Sequence, residues 1–158
     1  VTARLLGGTS PSSTEGWSGT TAVHFASTDR VIEEPIIVLD GRGRGQVNLV
    51  CSPSEVAPGI APAGTHSVLV SLRPGHRDAA DIDPDAIRAE AADLLGVDGG
   101  GWRHLITTNV PHALPRPGSA PDRHAPPGIR IAGDWMDDPS IENSVRIGIE
   151  TARELIDE

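Results

Sequence analysis

The sequence predicts an α+β fold, with a mixed, largely antiparallel sheet and two main helices. Three observations carry that expectation. Short valine-rich segments recur over the first 110 residues, a composition that fits pleated, half-buried strands. Two segments, 84–95 and 140–158, combine helix start signals with apolar residues at helical spacing. Proline-rich breaks separate the elements, and no internal repeat points to a solenoid. At 158 residues the chain is long enough to bury one core.

The stretch LGGTSPSSTEGWSGT at 6–20 is rich in Gly, Ser and Thr and poor in apolar side chains, and predicts a flexible leader over residues 1–19. Strand candidates follow at 21–27 (TAVHFAS), 36–40 (IIVLD), 46–52 (QVNLVCS) and 66–73 (HSVLVSLR). The unbroken apolar run of IIVLD suits a strand covered on both faces, whereas alternation in QVNLVCS places Val47, Leu49 and Cys51 on one face. GRGRG between them makes a hairpin connection. SPSEVAPGIAPAGT carries three prolines and is expected to be a loop. Residues 84–95 form a helix with Asp83 as N-cap, Pro84 at its first position and Gly96 past its end, its apolar stripe being Ile87, Ala91, Leu94 and Leu95. WRHLITTNV at 102–110 returns as a strand. The domain reading is a sheet region over 20–115, a proline-rich linker over 116–128, and a terminal strand and helix over 129–158.

Composition narrows the function classes. The net charge is -9 and all 13 basic residues are arginine, with no basic cluster to hold nucleic-acid phosphates. The one cysteine, Cys51, excludes an internal disulfide and sits in a strand pattern as a small buried hydrophobe. No apolar run approaches the ~20 residues that span a bilayer, and the start lacks a signal-peptide pattern. A soluble, cytoplasmic chain is expected. His104 and His112 flank one strand, about 25 Å apart if it is uninterrupted, too far to share a metal ion. A serine hydrolase needs an elbow of the Gly-x-Ser-x-Gly kind, which is missing, and Asp137 with Asp138 reads as a solvated turn rather than a glycosidase pair.

The terminal segment carries the chemistry. Its strand, IRIA, delivers Gly133 and Asp134 to a turn ahead of a helix that Ser140 can cap, where free N–H groups and the positive dipole end collect. Gly133 permits close approach to the backbone, and Asp134 can accept hydrogen bonds from ligand hydroxyls. Ile141, Val145, Ile149, Ala152 and Ile156 form one apolar stripe, and small Ser144 and Gly148 allow close packing. Trp135, beside the turn, and Trp102 are candidate ligand-packing aromatics.

IRIAGDWMDDPSIENSVRIGIETARELI resembles the C-terminal FAD-binding motif of the flavin-containing amine oxidase and phytoene desaturase-like superfamily. There a hydrophobic strand ends in Ala-Gly-Asp and a small-residue-rich helix follows. SPSEVAPGIAPAGTHSVLVSL and WRHLITTNVPHALPRP are similar to the superfamily's substrate-side strands and its aromatic-Ala-Leu-Pro turn, with His112 at the aromatic position. The resemblance covers roughly residues 20–158. It implies an FAD-dependent oxidoreductase acting on a small-molecule substrate. Gly133 and Asp134 would lie against the pyrophosphate and ribityl chain, and the backbone of Ile141, Glu142 and Asn143 against the pyrimidine side of the flavin. Trp102 and His112 would be on the substrate side.

The superfamily's Gly-x-Gly-x-x-Gly turn is not matched here. GRGRG follows an apolar strand, but VNLVCSP then alternates like a strand and meets Pro53, so no dinucleotide-binding helix starts there. The expectation is therefore a C-terminal portion whose ADP-side contacts come from an N-terminal dinucleotide-binding part or a partner chain. The alternative is a non-enzymatic α+β domain that binds a partner protein through sheet edges or a helix face.

Overall fold

In the computed structural model, residues 16–75, 78–116, 126–133 and 136–157 are described. They form β1 (Trp17–Ser27), β2 (Ile37–Leu39), β3 (Val47–Cys51), α1 (Pro53–Val56), β4 (His66–Leu72), α2 (Pro84–Leu95), β5 (Arg103–Pro115) and α3 (Ile141–Asp157). The fold is α+β: five strands make one sheet in the order β2-β3-β4-β1-β5. The pairs β2–β3, β3–β4 and β4–β1 are antiparallel. The chain divides into two units, residues 19–110, and residues 1–18 with 111–158.

Within the first unit the core lies between one face of the sheet and α2. Val23 and Phe25 of β1, Val47 and Val50 of β3, and Val68, Val70 and Leu72 of β4 meet Ile87, Ala91 and Ala92 of α2. Alternation explains the sheet side, since residues two apart share a face. The helix is specified by its ends. The Asp83 side chain accepts the Asp85 N–H at 2.9 Å, Pro84 opens the first turn, and Gly96 closes the helix at φ 69° with its N–H turned to the carbonyls of Ala92 and Asp93. That left-handed conformation is one glycine adopts without a Cβ penalty.

Four local expectations are corrected. In β3 the alternation is broken by a bulge: Val47 pairs with Leu72 but Leu49 with Ser71, so Asn48 is an extra residue and Val47 and Val50 face the core. Leu49 and Cys51 are left on the other face, because a one-residue insertion flips every side chain beyond it. β2 is a three-residue edge strand, not one covered on both faces; Ile37 and Leu39 are exposed. The segment after β3 is not all loop. Pro53 and Pro58 open a single α-turn and a 3-10 turn, each occupying an early position where its missing N–H costs nothing.

The fourth correction concerns strand limits. β1 starts at Trp17, inside the expected leader, and β5 continues through His112-Ala113-Leu114-Pro115, expected to be a turn. The two extensions supply each other's ladder, with Arg116 N–H donating to the Gly16 carbonyl at 2.8 Å, so pairing outweighs weak local propensity. Residues 129–133, expected as a strand, form none: among the described residues the sheet has no sixth strand to satisfy their backbone groups. Among the described residues no helix is long and apolar enough to cross a membrane.

Candidate functional site

The candidate site belongs to the unit formed by residues 1–18 and 111–158. Gly133 is half-buried, and its carbonyl accepts the Met136 N–H at 3.1 Å, which turns the chain ahead of α3. Asp134 and Trp135 lie outside the described residues. Ser140 caps α3: its Oγ accepts the Asn143 N–H at 3.1 Å and its carbonyl the Ser144 N–H at 3.0 Å. Asn143 Nδ2 in turn donates to the Asp138 carbonyl at 2.6 Å. The cap leaves the first two N–H groups, those of Ile141 and Glu142, without an acceptor among the described residues. They point from the positive end of a 17-residue helix, where an electron-rich atom is stabilised. Ile141, Glu142 and Ser144 are exposed.

Arg146 organises this region, and sequence reading missed it. Its guanidinium reaches Asp137 at 2.6 Å, Glu150 at 3.1 Å and the side-chain oxygen of Asn143 at 3.1 Å. It thereby ties the turn at 136–140 to the helix body. The spacing of Arg146 to Glu150 is a helix-pair signal visible in the sequence. The link to Asp137 depends on the chain reversing before the cap, and nothing local announces that. A cavity of about 450 Å³ is lined by Arg130, Ile131, Met136 and Asp137 on one side and by Arg146 and Ile147 of the helix on the other.

His112 belongs to the same unit, half-buried, with its ring edge-to-face against Trp17 at 5.6 Å. Trp102 belongs to the other unit. It is 3% exposed in the core, 5.9 Å from Phe25, and no ligand reaches its ring unless the core moves. Ser140 thus stands with Ile141, Glu142, Asn143 and Ser144 in one capped helix turn, Gly133 is bonded to Met136, and Trp102 is buried in the core of its own unit. Among the described residues no three His, Cys, Asp or Glu side chains stand close enough to hold a metal ion.

No known protein family and no curated protein matches the sequence. Among solved structures, the chain is similar to the crystal structure of an oxidoreductase from Methanosarcina mazei, with a TM-score of 0.63 and 17% identity over 87% of this chain. The likeness is one of fold. The chain spans about a third of that structure's length, 34%.

Proposed function

We propose that this chain is part of an FAD-dependent oxidoreductase of the amine oxidase and phytoene desaturase-like kind. Residues 20–115 would form its substrate-side sheet and residues 129–158 the segment that meets the flavin. The observation that carries this reading is the first turn of α3, where two N–H groups stand without acceptors among the described residues. The fold shared with an oxidoreductase supports it. The remaining contacts, those to the ADP half, would come from a dinucleotide-binding part or partner chain.

The donor set fits the pyrimidine edge of a flavin. The third N–H of the turn is taken by Ser140, so two donors remain side by side at the positive helix end. When bound, FAD supplies the hydride acceptor for a small amine or an apolar, desaturable substrate. The N–H groups of Ile141 and Glu142 would hold negative charge at the ring edge, at a place where the donors are already oriented. Ser140 and Arg146 would keep that turn in position. No residue here is assigned as a general base, because placement and electrostatics are the protein's share of such chemistry.

The test uses the whole protein. It should be yellow as purified, or after incubation with FAD, and lose that absorbance on reduction. Ile141→Pro removes one donor at the helix position where proline is tolerated, and should weaken FAD binding by about tenfold, the worth of one hydrogen bond to a charged group, with helix content unchanged. A colourless whole protein that cannot be reconstituted with FAD overturns the proposal.

A further inference from the structure

We draw no further inference here: the strongest candidate, the face of the sheet turned away from α2, where Ile37, Cys51, Leu69 and His24 stand in register across β2, β3, β4 and β1, carries none, because nothing in the structure shows what covers it in a chain that spans about a third of its structural neighbour.

Discussion

Glu90 shows how one side chain on α2 shapes a hairpin in the sheet. Its two carboxylate oxygens accept the N–H groups of Gln46 and Val47 at 3.0 and 2.8 Å, and Gly45 sits so close, at φ +69°, that a Cβ there would run into the carboxylate. Glu90→Ala orphans two donors and should cost about 1–3 kcal/mol in urea unfolding. Gly45→Ala should destabilise as well, through both the clash and the left-handed backbone. Two other carboxylates respond to pH. Asp40 is held below its ordinary range by Arg42, with Arg73 adding a second bond at 2.7 Å, and Glu55 by His66 and then Arg30. Both are stronger acids folded than unfolded, so the stability they contribute is present above the ordinary carboxylate range and lost as pH falls through their folded values. The thermal midpoint should therefore fall on acidification below about pH 4, and Asp40→Asn should flatten that fall while lowering stability at neutral pH. Burial pushes the Cys51 thiol up, which leaves it unreactive at neutral pH.

Among the elements, α2 is the one whose ends are stated by its sequence: cap, first-position proline and closing glycine are all local signals, while of the expected stripe Ile87 and Ala91 are buried, Leu94 and Leu95 only partly, and Ala92 is buried beside them. Ile87 is fully buried between helix and sheet, and Ile87→Ala should cost about 2–5 kcal/mol, read from the shift in denaturation midpoint. β3 is the opposite case. Its alternation is regular in the sequence, and the bulge at Asn48 arises only from its register with β4, a relation between strands that no single strand encodes. The extended ends of β1 and β5 follow the same logic, since each becomes a strand because the other is beside it. α3 is legible as a helix, cap included, and Ser140→Ala should lower its helix content at a cost of about 1 kcal/mol. Which of its sides is buried is not legible, because Ile147 lies off the stripe that periodicity selects.

The whole molecule divides into residues 19–110 and residues 1–18 with 111–158. The first unit carries the packed core and explains stability. The second carries the exposed stripe, and the open helix start and the Arg146 hub on which the proposed function rests. Residues named from the sequence for the site fall accordingly. Ser140 to Ser144 share the first turn of α3, Gly133 is bonded to Met136, His112 pairs with Trp17, and Trp102 is a core residue. Trp102 was indistinguishable from a ligand-packing tryptophan in the sequence, because exposure is a property of the assembled core. A Trp102→Ala variant should lose stability, by about 3–5 kcal/mol in chemical denaturation, rather than change only ligand affinity in a protein that remains folded.

The sequence by itself determined the α+β class, the two long helices with their caps, the valine-rich strands and the glycine and serine that shape the turn ahead of α3. These depend on spacing, propensity and capping, which act over a few neighbouring residues. Only the tertiary structure decided the order of the sheet, the bulge in β3, the joint extension of β1 and β5, the absence of a strand at 129–133 and the side of α3 that stays exposed. Each of these needs a partner distant in the chain, to supply a ladder, a register or a covering surface, and such a partner exists only once the chain has folded.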